Sequence, residues 1–167
     1  MLESKYLQEN IENIKKLMNI PTLSHFETKS LGKLLRLSKI KQYEDGELII
    51  SEGDLDPWLF FLLSGKVRIS KEGIDIAAIE RTGEIFGEMR IITSLSRSAS
   101  VYAIGNTVCL AVDTTAKDRL TGEDEISQFL LLLYKVFAEF VAMRLRLTSE
   151  ELVIAKKKVQ RLSEGNN

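Results

Sequence analysis

Two short stretches decide the fold of this chain, Gly83-Glu84-Ile85-Phe86-Gly87-Glu88-Met89-Arg90-Ile91-Ile92 and Arg97-Ser98-Ala99-Ser100-Val101. They place glycines, a carboxylate and an arginine in one loop between apolar segments. Glycine lets backbone N–H groups approach a ligand, and a helix beginning after such a turn offers unpaired N–H groups to an anion. Glu88 can accept a hydrogen bond from a sugar hydroxyl, and the planar fork of Arg97 suits a phosphate. The loop therefore predicts a site for a sugar phosphate.

The sequence around this loop has the pattern of short strands. Apolar residues alternate with period two, as in Val67/Ile69 and Val108/Leu110/Val112. Turn signals separate these segments at Asp45-Gly46, Gly53-Asp54, Ser64-Gly65, Glu72-Gly73, Thr82-Gly83 and Gly105-Asn106. Strands punctuated about every eight to twelve residues predict an all-β barrel or sandwich.

The loop and the strand region together resemble the cyclic-nucleotide-binding domains, the ligand modules of catabolite activator protein, cyclic-nucleotide-dependent kinases and some channels. Gly83–Val101 is similar to the phosphate-binding cassette of that family. A second block is similar to its early strands and turns: Tyr43-Glu44-Asp45-Gly46-Glu47-Leu48-Ile49, Glu52-Gly53-Asp54, Phe60-Phe61-Leu62 and Gly65-Lys66-Val67. The resemblance covers Pro21 to Leu162. It implies a mainly β fold with flanking helices: a jelly-roll barrel (double-stranded β-helix), N-terminal helices and a long C-terminal helix.

The resemblance also implies roles for individual residues. The matching glutamate of the family takes the ribose 2′-hydroxyl and the matching arginine takes the cyclic phosphate, which assigns these roles to Glu88 and Arg97. Backbone N–H groups of Gly87 and Met89, and the hydroxyl of Ser98, complete the expected contacts. The predicted ligand-binding residues are Phe86, Gly87, Glu88, Met89, Arg90, Arg97, Ser98, Ala99, Thr148 and Ser149.

Arg90 departs from the family pattern, which usually has a small residue after the glutamate-hydrophobic pair. Three interpretations stay open: the guanidinium turns outward into solvent, reinforces the anion site, or crowds the ribose.

Helical patterns flank the strand region. Apolar spacing predicts an N-terminal amphipathic helix over Tyr6 to Met18 and a second helix over Glu27 to Leu37. A short helix is expected around Thr115–Leu120, and a long one to about Leu162. The predicted organisation is an amphipathic helix over residues 1–20, a cyclic-nucleotide-binding barrel over 21–120, and a dimerisation and lid helix over 121–167.

The long helix carries a 3.5-residue apolar repeat that predicts a homodimer. Its predicted seam is Ile126, Leu130, Leu133, Phe137, Phe140, Arg144, Leu147, Glu151 and Ile154. A second stripe is expected to face the barrel: Phe129, Val136, Val141 and Met143.

Thr148 and Ser149 resemble the helix threonine and serine of catabolite activator protein that meet adenine, one from each subunit. Two polar residues on a solvated helix face are the alternative. As ligand contacts they favour cyclic AMP over cyclic GMP without excluding the latter.

Composition narrows the function. The chain has 167 residues, a net charge of −1, one cysteine (Cys109) and one histidine (His25). This charge gives no general reason to bind nucleic acid, and the longest apolar runs, Trp58–Leu63 and Phe129–Tyr134, predict no membrane span. One cysteine and one histidine cannot build a His-rich metal site, so no metal, cofactor or catalytic group is expected. A cytoplasmic location is expected.

Two functions follow as hypotheses. The first is a stand-alone regulatory sensor that binds cyclic AMP, or less readily cyclic GMP, and signals through the long helix to an unknown downstream protein. No helix-turn-helix sequence follows the helix, so direct DNA binding is not expected. The second is a ligand-independent dimeric scaffold with a degenerate nucleotide site. Arg90 favours the scaffold, whereas Gly87, Glu88, Arg97 and Ser98 favour the sensor.

Overall fold

The structure, a computed structural model, describes residues 2–3, 15, 18–19, 23–24, 28–89, 95–115 and 122–164. Arg90, His25 and the short helix expected around Thr115–Leu120 therefore lie outside the described residues, apart from Thr115. The same holds for the helix predicted over Tyr6–Met18, apart from Lys15 and Met18, whose backbone is helical.

The described strands form one antiparallel sheet around two long strands. The strands are β1 (Leu2–Glu3), β2 (Ser38–Tyr43), β3 (Leu48–Ile50), β4 (Trp58–Lys71), β5 (Ile74–Ile79), β6 (Ile85–Phe86) and β7 (Ser100–Asp113). β4 and β7 pair over most of their length, from Trp58↔Asp113 to Ser70↔Ser100. β3 pairs with the first half of β7 and β2 with the second half. In the same way, β6 pairs with the first half of β4 and β5 with the second half. The mainly β, jelly-roll prediction is confirmed.

The two long strands turn a corner at their midpoint. Their register shifts between Leu62 and Lys66, where Gly65 has a φ of +88°. A Cβ on this residue would lie 2.5 Å from the carbonyl oxygen of Asn106 on the facing strand. Because only glycine tolerates both the left-handed backbone and this close approach, the Ser64-Gly65 signal marks a bend within a strand rather than a turn between two strands.

Alternation along β4 divides the core into two parts. Phe60 and Leu62 point into the barrel interior, where they join Phe86 and Val101. Leu59 and Phe61 point the other way and pack against the helices. Successive strand residues face opposite sides, so one apolar run serves both cores.

Two helices cover the outer face of the sheet: α1 (Thr28–Arg36) and α2 (Glu123–Glu164). The helix predicted over Glu27 to Leu37 is confirmed. With 42 residues, α2 is about 63 Å long at about 1.5 Å per residue. Its first half buries a stripe that packs on the sheet and α1: Phe129, Leu132, Leu133, Val136, Phe137 and Phe140.

This packing corrects the predicted dimer seam. Leu133, Phe137 and Phe140, placed in the seam, are buried within the protomer, whereas Val141 and Met143, placed against the barrel, are exposed. The reason is that the apolar outer face of the sheet and α1 is broad, so the broadest apolar stripe of α2 is buried against it. A different exposed stripe steps by three and four residues along α2: Leu131, Tyr134, Ala138, Val141, Leu145, Thr148, Leu152, Ala155, Val159 and Leu162.

The segment Ile126–Ser163 is long and apolar enough to cross a membrane by length and composition alone. Core helices of soluble proteins meet the same criterion, and here Phe129 and Phe140 are buried against the sheet and α1.

Candidate functional site

The predicted ligand loop begins at the end of β6. β6 pairs with β4, and the ring of Phe86 stacks on that of Phe60 with centroids 5.2 Å apart. Gly87 then has a φ of +83°, and Glu88 and Met89 continue with helical backbone. A Cβ at residue 87 would lie 2.6 Å from Arg97 Nη1. Glycine is therefore required both by the turn and by the arginine packed against it.

Arg97 is almost fully buried, with 3% of its surface exposed. Its Nε donates to Asp56 Oδ2 (2.9 Å) and its Nη2 donates to Asp56 Oδ1 (2.6 Å), the two-pronged geometry of a strong guanidinium–carboxylate pair. Nη2 also donates to the carbonyl of Trp58, and Nη1 donates to that of Gly87. These contacts use four of the five guanidinium N–H groups.

Asp56 is a site residue that the sequence analysis missed. Burial opposes the ionisation of Asp56, but the hydrogen bonds and charge of Arg97, the Trp58 N–H and the charge of Lys41 outweigh it, so the pKa of this carboxyl lies below its usual value. An aspartate before proline has the signature of an ordinary turn. Nothing in that signature indicates that its carboxylate pairs with an arginine 41 positions away.

Backbone hydrogen bonds join the two loops that carry this ion pair. The Gly53 N–H donates to the Arg97 carbonyl (2.9 Å), and the Arg97 N–H donates to the Asp54 carbonyl (2.8 Å). The Glu52 N–H also donates to Ser100 Oγ (3.0 Å). Arg97 is thus held in place through both its backbone and its side chain.

A cavity of about 210 Å³ opens beside the loop. Its walls combine apolar strand residues with the loop itself: Ile50, Ile69, Ile76, Phe86, Gly87, Glu88, Met89, Arg97, Ser98, Ala99, Val101 and Arg144. The structure therefore brings seven of the ten predicted site residues to one cavity. An apolar wall opposite a few converging polar groups is the usual form of a small-molecule site.

Glu88 and Arg144 both line this cavity. Burial raises the pKa of the Glu88 carboxyl, against the opposing effects of its own backbone N–H and of the charges of Arg144 and Arg97. Arg144 lies on α2 with its guanidinium carbon 5.7 Å from the centroid of the Phe140 ring. Arg144 was predicted to lie in the dimer seam, and its position at the cavity was not predicted.

The remaining predicted residues lie beside or beyond the cavity. Thr148 lines an adjoining apolar groove of about 400 Å³ between the loop and α2, which Glu88, Met89 and Arg144 also line. Ser149 is exposed, and its hydroxyl donates to the carbonyl of Leu145 (2.8 Å). Ser98 Oγ lies 3.5 Å from Met89 Sδ at the edge of the cavity. Arg90 lies outside the described residues.

Comparison with known proteins identifies the domain. A family model described as "Cyclic nucleotide-binding domain" matches residues 40–124, which contain most of β2, all of β3 to β7 and the sequence of the ligand loop. The chain belongs to the cyclic nucleotide-binding domain family. Gly83–Val101, the stretch that resembles the phosphate-binding cassette, lies within the matched residues.

Relatives of this cyclic nucleotide-binding domain include a protein kinase, a protein kinase regulatory subunit and a catabolite activator protein. It is 32% identical over 121 residues to cGMP-dependent protein kinase 2 of Mus musculus, covering 68% of this chain and 16% of the kinase. It is 34% identical over 111 residues to the cAMP-dependent protein kinase type II regulatory subunit of Drosophila melanogaster, covering 64% of this chain and 29% of the subunit. The Thermus thermophilus Catabolite Activator Protein superposes with a TM-score of 0.61 at 27% identity, covering 81% of this chain and 63% of that one. The chain thus spans less than a third of either kinase relative.

Proposed function

We propose that this chain is a sensor that binds a purine 3′,5′-cyclic nucleotide in the cavity beside Gly87 and Arg97. The observation that carries the proposal is the buried Arg97, which the Asp56 carboxylate and two carbonyls hold while it lines a cavity with one apolar wall. A guanidinium fixed in this way is preorganised for a phosphate, because little rotational freedom is lost on binding.

The other polar groups of the cavity fit the rest of such a ligand. Glu88 would accept the ribose 2′-hydroxyl, and the backbone N–H groups at Gly87 and Met89 would reach the phosphate. Ile69, Ile76 and Val101 offer the base an apolar wall. Relatives named for cyclic GMP and for cyclic AMP are both present, so our preference for cyclic AMP rests on Thr148, which lines the adjoining groove.

The long helix is the proposed output and dimer element. The exposed stripe from Leu131 to Leu162 keeps a strict heptad spacing over more than four heptads, which is the pattern of a two-stranded coiled coil. In a parallel pair Glu151 would face the partner's Lys156, an opposite-charge contact that occurs twice by symmetry. We therefore propose a parallel homodimer that signals to a downstream protein. We propose neither a catalytic role nor direct contact with nucleic acid or membrane.

The buried and unpaired thiol of Cys109 is compatible with the reducing cytoplasm, which is the proposed location.

One observation favours the scaffold alternative. Asp56 already occupies one edge of the Arg97 guanidinium, as an incoming phosphate would. Calorimetric titration with cyclic AMP and with cyclic GMP decides between the two functions. Saturable binding of either nucleotide supports the sensor, and absence of binding to both at millimolar concentration refutes it.

A further inference from the structure

The turn between β4 and β5 is fastened by a residue outside this hairpin. The last strand pair is Lys71↔Ile74, which leaves Glu72 and Gly73 as a two-residue loop. Their φ angles of +51° and +79° are those of a type I′ turn, in which the N–H of the first loop residue finds no partner within the hairpin. Here the Glu72 N–H donates to Glu52 Oε2 (3.0 Å). The carboxylate of Glu52 therefore holds the tip of the hairpin.

Glu52 is also tied to the segment that carries the buried guanidinium. Its backbone N–H donates to Ser100 Oγ (3.0 Å), and the N–H of the next residue, Gly53, donates to the Arg97 carbonyl (2.9 Å). The two consecutive residues Glu52 and Gly53 thus join the tip of the β4–β5 hairpin to the second half of the ligand loop.

A β-bulge close to this tip brings Ile76 to the cavity. Ile69 pairs with Ala77 and Ser70 pairs with Asp75, so Ile76 is an extra residue without a partner on β4. Bulges bend a strand and re-aim a side chain, and the side chain of Ile76 lines the cavity. Because Ile76 is 58% exposed, packing alone does not fix it, and its position depends on the backbone of the hairpin.

We propose that Glu52 is a positioning residue of the nucleotide cavity, which holds the hairpin tip and thereby keeps Ile76 against the base of the ligand. The proposal rests on cyclic-nucleotide binding as the function of the cavity. Without the carboxylate, the Glu72 N–H bonds to water and the hairpin gains conformational freedom that a bound nucleotide has to remove. The ligand then binds more weakly, although no group that contacts it has changed.

Calorimetric titration with cyclic AMP compares three single variants. Glu52→Ala should bind about fivefold more weakly than the parent. Glu52→Gln keeps an oxygen that accepts from the Glu72 N–H, so it should bind within about twofold of the parent. Glu47 is the matched control, because it is also half-buried and its carboxylate also accepts a backbone N–H, that of Glu44 in its own turn (2.7 Å). Glu47→Ala should therefore bind within about twofold of the parent.

A double-mutant cycle separates positioning from general stability. Ile76→Ala removes the apolar contact and should weaken binding about tenfold. If Glu52 acts through Ile76, Glu52→Ala/Ile76→Ala should bind within about twofold of Ile76→Ala alone. Glu52→Ser replaces Glu52→Ala if circular dichroism shows that the alanine variant does not fold.

Three results would overturn the role of Glu52: additive effects in the cycle, parent-like affinity of Glu52→Ala, or equally weak binding by Glu52→Gln and Glu52→Ala. A parent that binds no cyclic nucleotide is a different result, because it refutes the proposed function itself and with it any role of Glu52 at the cavity.

Discussion

The most informative perturbation is Arg97→Ala, because Arg97 is proposed to serve both folding and binding. The substitution leaves Asp56 without its guanidinium and frees the carbonyls of Gly87 and Trp58. Breaking a buried ion pair by removing one partner costs about 3–5 kcal/mol. Because the Asp56 side chain is 32% exposed, the lower end applies, and we expect about 3 kcal/mol. For a chain of this size the melting temperature should fall by about 6–12 °C.

The same substitution removes the proposed phosphate partner. Truncating one member of a buried, hydrogen-bonded charge pair costs about 2–5 kcal/mol of binding free energy, which is a loss of roughly 30- to several-thousand-fold in affinity for cyclic AMP. Thermal denaturation and calorimetric titration measure the two effects separately.

A second variant keeps the two effects apart. Arg97→Ala/Asp56→Ala removes both charges, so it should recover much of the lost stability because no carboxylate is left stranded. It should recover none of the affinity. If either variant binds cyclic AMP as tightly as the parent, the role assigned to Arg97 is wrong.

Asp56 also fixes the sign of the pH dependence. Its pKa in the folded protein is below the usual value of 3.8, so the ionised carboxylate stabilises the fold above that value. This stabilisation is lost as the pH falls through the folded-state pKa. Asp56→Asn lacks the titrating group, so its unfolding free energy should decline less than that of the parent between about pH 4 and pH 2. Parallel declines in a denaturant series would contradict the assignment.

Three further substitutions test the loop, the helix and the dimer. Gly87→Ala should weaken cyclic AMP binding at least about tenfold, because the added Cβ would displace Arg97. Gly46→Ala is the control: Gly46 has a φ of +76°, so the substitution brings the same backbone strain, but a Cβ there would have no atom within 4 Å. The Gly46 variant should bind like the parent. Arg144→Ala should weaken binding about three- to tenfold through loss of a cation that lines the cavity, whereas Arg146→Ala, which loses only an exposed pair with Glu150, should not. Leu145→Glu should convert the proposed dimer to monomer in sedimentation, and a parent that is already monomeric at tens of micromolar refutes the seam.

The fold and the loop were accessible to sequence reasoning because their signals are local. Gly83 to Val101 contains its own turn, carboxylate and arginine, and glycines such as Gly65 mark places where the backbone has few alternatives. Seven predicted residues therefore meet at one cavity. Asp56 could not be found in this way, since its proximity to the loop depends on hydrogen bonds between distant segments.

The error in the seam has a different physical cause. A long helix with many apolar residues carries several stripes that fit a heptad, and the sequence does not say which one the rest of the protein covers. Burial of Phe137 and Phe140 against the sheet and α1 decides this. The stripe that includes Val141 and Leu145 stays exposed, and it is the one that we propose as the dimer contact.

The position of Arg144 connects this helix with the proposed ligand cavity. It lies one turn beyond Phe140, which anchors α2 to the core, and just before the half of the helix whose described side chains are exposed, except that of Leu147. A nucleotide can shift the helix only if it interacts differently with two helix positions. Arg144 offers such a difference, since its charge acts on Glu88, the group proposed to bind the ribose. When Glu88 accepts a ribose hydroxyl, its attraction for Arg144 changes, and so does the energy of the helix position that brings the two together.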